Sequence, residues 1–107
     1  MIPAGSIVKV VNTGALYTTY PSFLIKNGFE HLTDRYSRHY PSVKTGVLLY
    51  EGNHLQYRDT PVCIVEMEDD ARQVIVIGEY GLEIIEAPVL DEEIKMSDVS
   101  LIDFIGV

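Results

Sequence analysis

Short runs of β-branched residues separated by tight turns constrain the fold of this chain more than any other feature. The first run, residues 6–12, lies between Gly5 and the turn residues Thr13 and Gly14. Val and Ile are enriched in strands, whereas Gly, Asn, Asp and Pro are typical of the turns between strands. The same alternation recurs through the chain. We therefore expect strands over residues 6–12, 47–50, 55–58, 62–67, 73–77 and 82–85.

One short helix is predicted between the first two strands. Thr18 or Thr19 can cap its start, Pro21 fits the first turn, and residues 27–28 (Asn-Gly) end it. A helix of about two turns is marginal on its own. We therefore expect it to dock on the sheet through apolar side chains, namely Phe23, Leu24 or Phe29.

Residues 31–44, with the sequence HLTDRYSRHYPSVK, interrupt the strand pattern. The segment is polar and aromatic, has no clear periodicity, and contains Pro41, which would end a helix. The pattern predicts a long irregular loop, which we call the excursion. Long loops in small domains frequently carry function.

The elements together indicate a mainly β fold with one or two short helices and a small, highly curved barrel. A resemblance rests on the runs GSIVKVVNTG (5–14), YTTYPSFLIKNG (17–28), GVLLYEGNHL (46–55), PVCIVEMED (61–69) and QVIVIGEYGLEII (73–85). These runs resemble small SH3-like barrel proteins of unknown function encoded by tailed bacteriophages. The resemblance implies an SH3-like barrel with a helical insertion after the first strand, and a phage accessory role. It brings no catalytic residue with it.

The length of 107 residues is that of one domain. We expect a single domain over residues 1–107, with the barrel at 5–86 and an acidic extension at 87–107. Apolar positions in residues 90–107 fit neither a helical nor a strand period, and a short helix starting near Ser97 is the favoured interpretation. Phe104 would then need cover, either on the barrel or on a partner.

Charge is divided between the two halves of the chain. Residues 1–62 hold six basic and four acidic residues, a net +2, whereas residues 63–107 hold two basic and twelve acidic ones, a net −10. The total of −8 disfavours non-specific binding to duplex nucleic acid. The single cysteine, Cys63, allows no internal disulfide, and no apolar run is long enough for a membrane span. We expect a cytoplasmic protein without a signal peptide or membrane segment.

The first half also holds all three histidines and six of the seven tyrosines. Tyrosines supply flat faces with a polar tip, and arginines supply forked donors for carboxylates and phosphates. This combination suits a protein interface, or a site for nucleotides or single-stranded nucleic acid. A structural interpretation also stays open, in which the tyrosines pack the barrel and cover the loop. The candidate binding residues are His31, Arg35, Tyr36, Arg38, His39, Tyr40 and Arg58.

Other chemistries have less support in the sequence. The three histidines lack the short spacing of zinc ligands, no glycine-rich phosphate loop is present, and Cys63 lies in an apolar run typical of core thiols. We therefore expect no catalytic residue, cofactor or metal. The favoured function is non-enzymatic binding of a host or viral protein, and the alternative is a module for nucleotides or single-stranded nucleic acid. An enzyme has the least support. A basic face opposite an acidic one would also allow a homo-oligomer.

Overall fold

The computed structural model describes residues 2–88, which contain one antiparallel sheet of five strands. The strands are β1 (Ile7–Val10), β2 (Thr45–Asn53), β3 (Pro61–Met67), β4 (Val74–Gly78) and β5 (Leu82–Glu86). The helices are α1 (Pro21–Lys26) and the 3₁₀ helices Thr13–Ala15, Glu30–Arg35 and Glu79–Gly81. A mainly β fold with helical segments after the first strand, as predicted, is confirmed.

The strand order β4-β3-β2-β1-β5 makes the sheet a meander whose last strand returns to its first. β5 pairs with β1 at Val8↔Ile84 and Val10↔Leu82. The 3₁₀ helix Glu79–Gly81 carries the chain from β4 to β5. Within the described residues no ladder joins these two edge strands, so the sheet is open between them.

Both faces of β3 and β4 are buried. Residues that alternate along these strands point to opposite faces and belong to two different apolar clusters. The first cluster includes Val8, Leu48, Cys63, Val65, Ile75 and Ile77. The second includes Phe23, Leu24, Leu32, Val62, Ile64, Val74 and Val76. The first cluster therefore joins β1 to β4, and the second lies under the helical insertion.

α1 docks through Phe23 and Leu24, which are fully buried as the sequence predicted. Gly28 follows the helix with a φ of +89°, a conformation that glycine adopts without strain. The amide of Phe29 then donates to the carbonyl of Leu24 at 2.8 Å. The short helix is thus stabilised by packing against the sheet and by the turn at its C-terminus.

The predicted threonine cap of α1 is wrong. Tyr20 occupies the N-cap position, and its side chain makes no capping hydrogen bond. Its backbone N–H donates instead to the hydroxyl of Tyr36 at 2.8 Å. Backbone donors at a helix start need partners from outside the helix, and a residue from the excursion supplies this one.

The predicted strand at residues 55–58 is also wrong, because these residues belong to the loop between β2 and β3. The amide of His54 donates to the carbonyl of Thr60 at 2.8 Å, and the amides of Gln56 and Tyr57 donate to Nδ1 of His54 at 3.0 and 3.3 Å. A side chain that bonds nearby backbone groups competes with a sheet ladder. These local bonds hold residues 54–60 in a compact turn.

The excursion is less irregular than predicted. Its first residues, 31–35, belong to the 3₁₀ helix Glu30–Arg35, and irregular structure begins only after it. Leu32 is buried in the second cluster, and the hydroxyl of Thr33 donates to the carbonyl of Glu30 at 2.8 Å. A single buried leucine thus fixes a helical turn where the sequence shows no periodicity.

The predicted helix at residues 90–107 and the acidic residues beyond Pro88 lie outside the described residues. No helix in residues 2–88 has the length and apolar character needed to cross a membrane.

Candidate functional site

The helical insertion covers the outer edge of β4. The amide of Tyr17 donates to the carbonyl of Val76 at 2.8 Å, and the amide of Ser37 donates to the carbonyl of Val74 at 2.9 Å. Tyr36 also forms a parallel bridge with Val74. An uncovered edge strand is open to pairing with other chains. Both ends of the insertion are therefore fixed to the sheet, and the excursion leaves it at a defined point.

Tyr36 links the excursion to the start of α1. Its hydroxyl donates to the carbonyl of Tyr17 and accepts from the amide of Tyr20. Burial raises the pKa of Tyr36, and this effect is partly offset by the Tyr20 amide and by the charge of Arg38. The hydroxyl therefore has a structural role, and only the ring is available to a neighbouring group.

Arg35 fastens the excursion to β3. Its Nη1 donates to Oε2 of Glu66 at 2.7 Å and to the carbonyl of Arg72 at 3.2 Å. The two charged side chains are 34% and 22% exposed, so this is a partly buried ion pair. The positive charge of Arg35 is thus neutralised by a carboxylate of the chain itself.

Arg38 has a different environment. Its guanidinium carbon lies 5.7 Å from the centroid of the Tyr36 ring, within the range of a cation–π contact. The Arg35–Glu66 pair is the one salt bridge within residues 2–88, so Arg38 has no carboxylate partner there. The Oγ of Ser37 donates to the carbonyl of His39 at 3.0 Å and lies 3.2 Å from its amide, which fixes the turn that presents Arg38.

Two shallow depressions meet at Arg38 and His39, which line both. The first has a volume of about 430 Å³, and Asp34, Arg35 and Tyr36 also line it. The second, of about 260 Å³, is completed by Thr18 and Tyr40. We refer to the two depressions together as the Arg38 hollow. Tyr40 is 64% exposed at its rim.

Five of the seven candidate binding residues line this hollow, namely Arg35, Tyr36, Arg38, His39 and Tyr40. His31 and Arg58 line neither depression. His31 lies on the 3₁₀ helix Glu30–Arg35 with its ring 6.2 Å from that of Phe29, and Arg58 is exposed in the loop at residues 54–60. The candidate set is thus divided between the hollow and two other surfaces.

No family model, curated protein or solved structure matches this chain. Its function must therefore be inferred from its own residues.

An aromatic cluster around His54 was not expected from the sequence. The rings of Tyr20 and Tyr57 each lie 4.8 Å from the His54 ring, and that of Tyr17 lies 5.5 Å away. Because Nδ1 of His54 accepts two backbone N–H groups, the neutral ring carries its proton on Nε2. The sequence signal is only a histidine at the end of a strand. Its role depends on tyrosines that are distant in the chain.

Acidic residues of the turn after β3 are also engaged in structural contacts. Glu66 pairs with Arg35, Oε1 of Glu68 accepts from the hydroxyl of Thr45 at 2.8 Å, and Oδ1 of Asp69 accepts from the amide of Gln73 at 2.9 Å. Within residues 2–88 no three His, Cys, Asp or Glu side chains are placed to share a metal ion. The acidic turn therefore contributes to the fold at several points.

Cys63 is fully buried in the first cluster, as predicted for a core thiol. Burial raises its pKa to about 12, and the charges of Glu51 and Glu79 act in the same direction. A nucleophilic cysteine needs an accessible thiolate. This residue has neither the access nor the thiolate at neutral pH.

Proposed function

We propose that this chain is a non-enzymatic binding protein whose protein partner contacts the Arg38 hollow. The observation that carries the proposal is that Arg38 and Tyr40 are exposed on a segment fixed to the sheet. Tyrosine and arginine are enriched at interface hot spots. The ion pair of Arg35, the hydroxyl of Tyr36 and the Ser37 turn hold this segment before any ligand arrives. Such pre-organisation lowers the entropic cost of binding.

The proposal includes an SH3-like barrel, a phage accessory role and a cytoplasmic location. The return of β5 to β1 supports the barrel, because it brings the two ends of a four-strand meander toward each other. The short 3₁₀ helix between β4 and β5 spans the remaining gap. The free, buried Cys63 is compatible with a reducing compartment.

Charge favours a protein partner over a nucleotide or a nucleic acid. Stacked bases and several neutralised phosphates would require more than one free guanidinium near the exposed tyrosine. Arg35 is paired with Glu66, and Arg58 lies outside the hollow. Arg38 is thus the one unpaired guanidinium that lines the hollow in the described residues, and the carboxylate of Asp34 lines one of its two depressions.

The test is to pan a random peptide display library against the full chain and to measure the selected peptides by fluorescence anisotropy. We expect peptides whose binding is lost in Arg38→Ala and retained in Arg58→Ala, a matched removal of an exposed arginine outside the hollow. Labelled oligonucleotides and nucleotides are titrated in parallel at two salt concentrations. If these probes bind saturably, Arg38→Ala weakens that binding, and no Arg38-dependent peptide is found, the proposal of a protein partner is overturned. The site would then be one for nucleotides or single-stranded nucleic acid.

A further inference from the structure

We propose that the Arg38 hollow recognises an acidic and a basic side chain that are neighbours in the partner. The carboxylate lies in the depression lined by Tyr40, and the basic group lies in the depression lined by Asp34. This inference rests on the proposed function and specifies the partner's chemistry. It follows from how charge is distributed around the hollow.

Arg38 is the charged donor that both depressions share. A guanidinium binds a carboxylate through two parallel N–H donors, and charge-assisted bonds of this kind are stronger than neutral ones. Arg38 has no such partner in residues 2–88, and the Tyr36 ring lies against its guanidinium. The ring itself is held through its hydroxyl. The donor is therefore oriented and unpaired, which fits an anion supplied by a ligand.

The side chains that line the hollow carry little net charge. Apart from the Arg35–Glu66 pair, the charged side chains that line the hollow are Arg38 and Asp34, whose charges cancel. One carboxylate beside one basic group matches this arrangement. A polyphosphate or a phosphodiester chain brings several negative charges and would face Asp34 without a second free cation. The hollow thus suits a singly charged anion.

The two depressions of the hollow differ in their acidic residues. The second depression is lined by Thr18, Arg38, His39 and Tyr40 and has no acidic residue. Its hydroxyls and guanidinium are donors for a carboxylate. The first depression contains Asp34, which would repel a carboxylate and attract a basic side chain. A partner segment that crosses Arg38 therefore presents an acidic and a basic side chain side by side.

The experiment uses Arg38-dependent peptides selected on the full chain, each resynthesised with Glu replaced by Gln and with Glu replaced by phosphoserine. We expect Glu→Gln to weaken binding about tenfold or more, the loss of one charge-assisted hydrogen-bonded pair. Both the Glu and the Gln peptides should lose their binding to Arg38→Ala. In Arg38→Lys the preference for Glu over Gln should be reduced, because the charge stays and the fork is lost. Asp34→Asn should remove the preference for the adjacent basic residue.

Each contrary outcome has a distinct meaning. Equal binding of the Glu and Gln peptides overturns this inference and leaves the proposed function standing, since the peptides still require Arg38. Preference for phosphoserine overturns it in favour of a phosphate-recognising site. Absence of any Arg38-dependent peptide overturns the proposed function itself. A variant with Asp91→Asn, Glu92→Gln and Glu93→Gln is the last control. Peptide binding that is tenfold tighter in that variant would mean that the chain's own acidic segment occupies the Arg38 hollow. That result would overturn the assignment of the hollow to an external partner.

Discussion

Removal of the Tyr36 hydroxyl is the sharpest perturbation that the structure offers. Tyr36→Phe keeps the ring that faces Arg38 and deletes the oxygen that joins Tyr17 to Tyr20. The carbonyl of Tyr17 loses a donor, and the amide of Tyr20 loses an acceptor. The substitution therefore separates the structural role of this side chain from its contact with Arg38.

The expected cost follows from the two backbone groups left without a partner. A buried group that loses its partner costs about 1–3 kcal/mol. Because both hydrogen bonds are only partly buried, water can reach the site and the lower end applies to each group. We expect a total loss of about 2 kcal/mol, a substantial part of the roughly 5–15 kcal/mol by which such domains are stable. With a urea dependence of about 1–3 kcal/mol per molar, the unfolding midpoint should fall by about 1 M.

Urea unfolding of the full chain, followed by circular dichroism, measures this change. The matched control is Tyr40→Phe, which deletes the same atom from a side chain that is 64% exposed. A surface change of this kind should stay within about 0.5 kcal/mol. If Tyr36→Phe lowers the midpoint no more than Tyr40→Phe does, the bridging hydroxyl does not stabilise the fold and the reasoning fails.

The pH dependence of the same variant provides a second check. Burial raises the pKa of Tyr36, so the folded state keeps this proton at a pH where the unfolded chain has lost it. The folded state then binds more protons, and the free energy of unfolding falls as the pH rises above about 10. Tyr36→Phe should make this alkaline loss shallower than in the wild type. An equal slope in both proteins would contradict the burial of the hydroxyl.

Three further predictions concern the rest of the fold. Gly46→Ala should lower the free energy of unfolding by about 1–3 kcal/mol, measured as a fall in the urea midpoint, because its Cβ would lie 2.6 Å from the carbonyl oxygen of Glu66. The Cβ of Gly28→Ala would meet open space, so this variant should show only the cost of its positive φ, roughly 1–2 kcal/mol. The Cys63 thiol should not react with an aromatic disulfide reagent in the native protein and should react fully in urea, since it is buried with a pKa of about 12; fast native reaction would contradict its burial. Burial, together with the charge of Glu51, raises the pKa of Glu79. The free energy of unfolding should therefore fall as the pH rises above about 4.5, and Glu79→Gln should make this fall shallower. An unchanged slope would refute that assignment.

The sequence predicted the central strands because their composition decides the matter locally. Runs 62–65 and 74–77 are apolar without interruption, and β3 and β4 form there in any surroundings that bury them. The uninterrupted apolar runs also carry information that a strand of alternating polar and apolar residues lacks. A strand without polar positions is typical of burial on both faces. It could have indicated that the helical insertion covers the second face of the sheet.

The wrong elements have a common physical cause. Residues 55–58 have the composition of a strand, but Nδ1 of His54 accepts two of their backbone N–H groups. The start of α1 has two threonines at hand, but the hydroxyl of Tyr36 serves the amide of Tyr20. In both places a side chain accepts the backbone hydrogen bond that the sequence pattern assigns to a neighbouring strand or to a threonine cap. Only the folded chain shows which acceptor lies within reach.

The candidate site shows the same limit for charged residues. Residue types alone make Arg35 and Arg38 equivalent, three positions apart in one polar segment. Glu66, which is 31 positions from Arg35, makes them different by neutralising one of the two. No spacing in the sequence indicates that pairing. The sequence thus places Arg35 and Arg38 in one segment, but it does not show that one of them is paired within the chain.

The basic and acidic halves of the sequence are consequently not separated in the folded chain at Arg35. Arg35 belongs to the basic half of the chain and Glu66 to the acidic half, and their contact joins the two halves at a residue that lines the hollow. The acidic half therefore acts on the site directly: it removes one cation from the hollow and, with the same bond, fixes the segment that presents Arg38. Of the two arginines that line the hollow in residues 2–88, only Arg38 then keeps its paired donors for a ligand, and these donors match the two oxygens of one carboxylate, which is the ligand that we propose.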